Sequence, residues 1–172
     1  MDVLGVQFVL LGTGDQHYHN MFSRFQQAYP GRAAIFLTFN AALAQKIYAG
    51  SDMFLMPSRF EPCGLGQLIS LRYGCIPIVR RTGGLADTIA NFNPRTGQGN
   101  GFSFDRYHYT DLFAAVVRAV ENYRYPCTWR TLQERGMRAD YSWAASARKY
   151  ADLYRKAVAF RQSDRSAAGS TA

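Results

Sequence analysis

One loop in this sequence collects residue types that can hold and transform an anionic ligand: Ser58-Arg59-Phe60-Glu61-Pro62-Cys63-Gly64-Leu65-Gly66-Gln67. An apolar run stops at Pro57, a single carboxylate follows, and a helical pattern opens on glycines. Glycine lets a ligand approach the backbone closely, and the first free N–H groups of a helix point outward at that ligand. The helix dipole adds a partial positive charge, so the arrangement suits a phosphate. A second loop, Arg80-Arg81-Thr82-Gly83-Gly84-Leu85, repeats the pattern with two arginines and a glycine pair before another helix. The residues alone therefore point to an anion site with Glu61 beside it. The plainer alternative is that Gly64, Gly66 and Gly83 serve tight turns and Glu61 is a solvated loop residue.

The elements that must carry these loops are legible as short apolar runs alternating with helical patterns. Val6–Leu11 ends at Gly12-Thr13-Gly14-Asp15, Ile35–Phe39 ends at Asn40, Met53–Met56 ends at Pro57, Ile76–Val79 runs into Arg80, and Gly101–Phe104 is closed by Asp105. Continuous apolar runs of this length read as buried parallel strands. Helices are expected over Ala41–Ala49, capped by Asn40 and ended by a left-handed Gly50, and over Leu65–Tyr73, ended by Gly74. Thr110 is expected to cap a helix whose apolar stripe is Leu112, Phe113, Val116, Val117 and Val120. Two more helices follow, over Trp129–Met137 and Ser142–Phe160. Strands alternating with helices make a right-handed α/β domain with a parallel sheet, and ligands bind such sheets beyond the carboxyl ends of the strands. Asn91–Asn100 reads as a mobile surface loop, and residues 161–172, rich in Ser and Ala, as a disordered tail.

Composition narrows the function classes. The chain has 172 residues, 48% hydrophobic and only 19% charged, enough for one domain with a core and unlike a disordered chain. No apolar run approaches the roughly 20 residues that cross a bilayer, and no basic-then-apolar leader opens the chain. A cytoplasmic location is the default. Three widely spaced cysteines argue against a disulfide framework and against a zinc site. Cys63, near a helix start and Arg59, is a reactive-thiol candidate, whereas Cys75 and Cys127 read as small buried apolar residues. His17, His19 and His108 read as surface or capping residues. Twenty basic against twelve acidic residues leave a net charge of +8, nearly all the cations being arginine, whose fork suits phosphate. The aromatic residues are not interleaved with a basic run, so a small anionic ligand is favoured over nucleic acid for Arg80 and Arg81, with a structural ion pair as the other reading.

The stretch SRFEPCGLGQLISLRYGCIPIVRRTGGLADT, Ser58 to Thr88, closely resembles the C-terminal nucleotide-sugar domain of bacterial glycogen synthases and plant starch synthases. The resemblance runs from the LGTGD segment (Leu11–Asp15) to Tyr141-Ser142-Trp143 and the helix after it. It implies a Rossmann-like parallel sheet with flanking helices, occupying residues 1–160, that forms one half of a two-domain retaining glycosyltransferase. Such enzymes transfer glucose from ADP-glucose to the non-reducing end of an α-1,4-glucan, and no metal or other cofactor is implied. Glu61 matches the family's glutamate beside the donor glucose, and Cys63 and Gly64 match glucose contacts. Leu65 and Gly66 lie where the diphosphate meets the helix, Thr82, Gly83 and Gly84 match the second loop, and Thr38, Phe39 and Asn40 match the loop along the adenine.

Three departures qualify the match. Position 66 is Gly where the family has a small hydroxyl residue, commonly Thr. Position 69 is Ile where the wider class of related transferases has a second glutamate, so no carboxylate there meets the ribose. The family's domain opens with a strand and helix that carry an arginine and a lysine for the diphosphate, preceded by an acceptor-binding N-terminal domain. The resemblance therefore implies a fragment, inactive alone. Its missing strand belongs between the strands ending at Leu11 and Pro57, and its absence leaves open sheet edges that can self-associate. A non-catalytic half-domain that binds a partner chain or a nucleotide is the alternative. Neither nucleic acid nor membrane is an expected partner.

Overall fold

The computed structural model describes residues 4–169, with the side chains of 163–169 left out. Residues up to Arg138 form one compact unit and those from Ala139 a second. In the first unit the elements alternate: β1 (Phe8–Leu11), α1 (Gln16–Ala28), β2 (Ala33–Phe36), α2 (Ala41–Gly50), β3 (Met53–Met56), α3 (Gly66–Tyr73), β4 (Ile76–Arg80), α4 (Gly84–Thr88), β5 (Phe102–Phe104), α5 (Tyr109–Tyr123) and α6 (Pro126–Arg138). The parallel α/β class follows as expected, but the strands form two sheets, β1-β2 and β3-β4-β5. All the pairings are parallel, with Leu11 opposite Phe36, Met56 opposite Val79 and Ile78 opposite Phe102. The strand order breaks between β1 and β3, where the open edges were expected. Among the described residues, β1 pairs only with β2, and β3 only with β4.

The side-chain period of two along β4 divides the core of the larger sheet. Ile76 and Ile78 pack with Phe102, Trp129 and Leu132, beneath α5 and α6. Val79 faces the other way, onto Leu71, Leu85 and Ile89 of the α3–α4 side. A proline inside this central strand is tolerated because pairing with β5 begins one residue later. A Cβ on Gly101 would lie 2.7 Å from the Pro77 carbonyl, so the missing N–H faces the side where the ladder has not yet started. Gly136 brings α6 close against Leu71 of α3, and Gln133 Nε2 donates to the Gly74 carbonyl at 3.0 Å. The small sheet is covered by α1 through Phe8, which stacks on Phe22 and meets Phe25 edge-on.

Several local expectations change. Asn40 caps α2 through its side chain, but Gly50 is the last helical residue and not a left-handed one. Gly74 does end α3 at φ 74°. The cap of α5 is His108, whose ring accepts from Thr110 N, so the cap lies two residues before Thr110. The buried seam of α5 is Ala115, Ala119 and Val120, with Leu112 and Val116 beside it, and Phe113 is exposed. Alanines let the helix approach β5 closely, which moves the stripe away from the bulky Phe113. Cys127 is exposed and not buried, because the first turn of α6 turns it outward while Trp129 and Leu132 fill the core. Asn91–Asn100 is a hydrogen-bonded turn: Asn93 N donates to Gln98 O, Asn100 N to Ala90 O, and Phe92 is buried.

The second unit is α7 (Trp143–Gly169), whose start is held by Ser142 Oγ accepting from Ala145 N at 3.2 Å. The helix takes in residues 161–169 of the segment expected to be disordered. Arg, Gln, Ser and Ala all tolerate helix, and no Pro interrupts the run before Gly169. Residues 170–172 lie outside the described residues. No helix among the described residues is long and apolar enough to cross a membrane.

Candidate functional site

Because β3 and β4 are adjacent and parallel, the loops that follow them leave the same edge of the sheet, side by side. Their backbones touch. Gly84 N donates to the Pro62 carbonyl at 3.1 Å, and a Cβ on Gly84 would strike the Cys63 carbonyl. Gly83 sits at φ 46° and ψ −137°, which side chains rarely adopt, and a Cβ there would run into the Glu61 carbonyl. The glycine pair therefore admits the Glu61–Cys63 backbone, a task separate from any ligand contact. The helix it opens, α4, has only five residues.

Gln67 holds the first loop from below. It is wholly buried, and its Nε2 donates to the carbonyls of Cys63 (3.1 Å) and Gly64 (3.0 Å), with Thr88 Oγ1 3.3 Å away. Gly64, at φ 72°, has the left-handed backbone that favours glycine, and a Cβ there would press on the Gln67 amide. Sequence reasoning missed Gln67; the signal was a neutral amide in the otherwise apolar run that follows Gly66. At Gly66 itself, a Cβ would meet the Phe54 ring at 3.0 Å and Tyr48 Oη at 3.3 Å. Glycine at this position thus fits a close approach of α3 to an aromatic pair whose ring centroids are 5.2 Å apart.

This scaffold presents Glu61 half-buried in the loop after β3, and among the described residues its carboxylate has no ion-pair partner. Two residues on, the Cys63 thiol is exposed. No side chain caps α3 at Leu65, so its first N–H groups keep their capacity to bind an anion. Cys75, by contrast, is enclosed, and burial, helped by Asp52, pushes its thiol up to about 12. Burial likewise raises the Tyr48 hydroxyl, with Cys75 a smaller cause. Among the described residues there is no cluster of three or more His, Cys, Asp or Glu that could hold a metal.

The structure brings the backbone of Glu61 and Cys63 against Gly83 and Gly84, while Gly64, Leu65 and Gly66 continue the first loop into α3 and Thr82 opens the second. It does not bring Thr38, Phe39 and Asn40 into hydrogen-bond contact with them among the described residues. Those three follow β2, in the other sheet. Asn40 spends its side chain on Leu43 N at 2.9 Å, while Phe39 is 87% exposed. The arginine pair divides its labour: Arg81 forms an exposed ion pair with Asp105 (3.5 Å), whereas Arg80 turns inward onto backbone carbonyls. Of the histidines, His19 accepts from Gly14 N at 3.1 Å and His108 caps α5, both local structural duties.

Comparison with known proteins agrees with the geometry. The glycogen synthase of Gloeobacter violaceus is 54% identical over 159 residues, covering 92% of this chain and 35% of that protein. Glycogen synthase 1 of Synechocystis is 53% identical over 152 residues, covering 88% and 32%. The chain thus spans about one third of the length of these relatives. Among solved structures, the catalytic domain of starch synthase IV from Arabidopsis thaliana, bound to ADP and acarbose, superposes with a TM-score of 0.78 at 37% identity, over 91% of this chain and 33% of that one. A sucrose-phosphate synthase from Thermosynechococcus elongatus shares the fold, with a TM-score of 0.62 at 22% identity. The profile of the glycosyl transferases group 1 matches residues 3–135, which takes in both strand-end loops, and the chain belongs to that family.

Proposed function

We propose that this chain supplies the donor nucleotide-sugar site of a glycogen or starch synthase, which transfers glucose from ADP-glucose to the 4-hydroxyl at the non-reducing end of an α-1,4-glucan with retention. The observation that carries the reading is the interlocked pair of loops, with Glu61 on one and Gly83-Gly84 on the other, in a chain similar to glycogen synthases. In this reading the diphosphate lies on the uncapped start of α3, held by N–H groups around Leu65 and Gly66 and by the Thr82–Gly84 loop. Glu61 holds sugar hydroxyls and offsets the positive charge that develops at the anomeric carbon as the bond to ADP lengthens. Cys63 and Gly64 line the glucose, and Thr38, Phe39 and Asn40 line the adenine. The reaction requires no metal or other cofactor. The glucan is held by a second domain beyond these residues, so the 172-residue chain alone does not elongate glucan, and the assembled enzyme works in the cytoplasm, or in a plastid if the source is a plant.

The test is a chimera in which this chain replaces the matching third of the Gloeobacter violaceus glycogen synthase. The chimera transfers glucose from ADP-glucose to glycogen, and Glu61→Gln lowers kcat by about a hundredfold or more while ADP still binds. A folded chimera without transfer, or full activity in the Glu61→Gln variant, contradicts the proposal. Elongation by the isolated chain overturns the part about its dependence on a second domain.

A further inference from the structure

We infer that Arg80 is the positioning residue that sets the Glu61 loop, acting through backbone carbonyls and not through the ligand. Its side chain leaves the end of β4 and reaches two other segments. Nη1 donates to the carbonyls of Ser58 (3.1 Å) and Arg59 (2.6 Å) in the loop after β3, and Nε donates to the carbonyl of Asp105 (3.3 Å) after β5. The guanidinium also lies over the Tyr107 ring, 5.6 Å from its centroid. Three strand ends are thereby joined by one planar group. A charged donor makes these bonds stronger than neutral ones, and the fixed fork holds two directions at once.

The consequence is geometric. Residues 58 and 59 are pinned by Arg80 on one side, while Glu61, Pro62 and Cys63 lie against Gly83-Gly84 on the other. Glu61 falls between the two anchors, so its backbone has little freedom to shift. No carboxylate pairs with Arg80 among the described residues, so its charge is met only by carbonyl dipoles and the ring face. Arg80 turns Nε and Nη1 onto protein carbonyls, whereas the exposed Arg81 pairs with the Asp105 side chain. The role in catalysis rests on the reading of Glu61 as the sugar-facing carboxylate; the role in holding the loop does not.

The two are separable by amide hydrogen exchange on the 172-residue chain without ligand. The Gly84 amide, which donates to Pro62, reports the seam, and the amides of Ala119 and Leu132 report the core. Arg80→Ala accelerates exchange at Gly84 by about tenfold or more, with Ala119 and Leu132 unchanged. Arg80→Lys, which keeps the charge and the stem but not the fork, stays at least severalfold faster than the parent at Gly84. Unchanged exchange at Gly84 in Arg80→Ala overturns the inference. So does parent-like protection in Arg80→Lys, which would mean that charge alone suffices, or a uniform rise through the core in both variants, which would mean general destabilisation. A chimera inactive with Arg80 intact would defeat the transferase reading and leave this result standing.

Discussion

Gly83→Ala is the sharpest perturbation of the site, because the same chain holds its control in Gly97. Both glycines have positive φ, 46° and 69°, so alanine is strained at either, by about 1–2 kcal/mol or more, the more so at Gly83, whose ψ of −137° lies outside the left-handed region. A Cβ at Gly97 meets nothing within 4 Å, whereas a Cβ at Gly83 overlaps the Glu61 carbonyl, an atom of the backbone that no rotamer change can move aside. Relief requires the two loops to separate, which adds an overpacking cost of about 1–3 kcal/mol and weakens the Gly84–Pro62 hydrogen bond by about 1 kcal/mol. Gly83→Ala is therefore expected to destabilise by about 3–6 kcal/mol and Gly97→Ala by about 1–2 kcal/mol. In a chain of this size each kcal/mol lowers Tm by about 2–4 °C, so thermal unfolding followed by circular dichroism resolves the two. ADP affinity should fall with Gly83→Ala and hold with Gly97→Ala. Equal losses of stability in the two variants would refute the contact between the loops.

Thiol chemistry offers a second check: in the folded chain iodoacetamide modifies Cys63 and Cys127, while Cys75, buried and raised to about 12, reacts only after unfolding. Labelling of Cys75 at the rate of the other two would contradict its burial. Asp111, in the first turn of α5, is held below its ordinary 3.8 chiefly by hydrogen bonds from Arg106. Its contribution is therefore complete above that value and is lost as pH falls through its lower folded value. The Tm difference between parent and Asp111→Asn should be present at neutral pH and vanish in acid below the ordinary aspartate range; a difference independent of pH would show that the ion pair is not its source. Gly74→Ala, at φ 74° and with its new Cβ 3.3 Å from Met137 Sδ, should cost about 1–2 kcal/mol in urea unfolding, and a neutral result would contradict the left-handed end of α3.

What the sequence made legible was what local chemistry dictates. Asn40 before an apolar helix and Gly74 after one needed only the rules of helix ends, and the apolar runs fixed the strands to within a few residues. Errors arose where a neighbour distant in sequence decided the outcome. Phe113 fits the apolar stripe of α5 on paper, but the approach to β5 favours Ala115 and Ala119. Gly50 has the composition of a helix terminator, yet the helix keeps it and turns at Ser51. The two strand-end loops were found at once, since Glu61 and the glycines mark them. Their interlocking was not, because the closeness of Gly83 to the Glu61 carbonyl depends on β3 and β4 being neighbours. Arg80 read equally well as a phosphate ligand or a structural cation until its carbonyl partners, 21 and more residues away, were in place.

The most direct test of the donor-site account is a titration of the isotope-labelled chain with ADP-glucose, followed by amide chemical shifts. The account predicts saturable shifts centred on Cys63–Gly66 and Thr82–Gly84, with the amides of Ala119 and Leu132 unmoved. Absence of shifts at both loops up to millimolar nucleotide sugar, or shifts confined to α6 or α7, would contradict it.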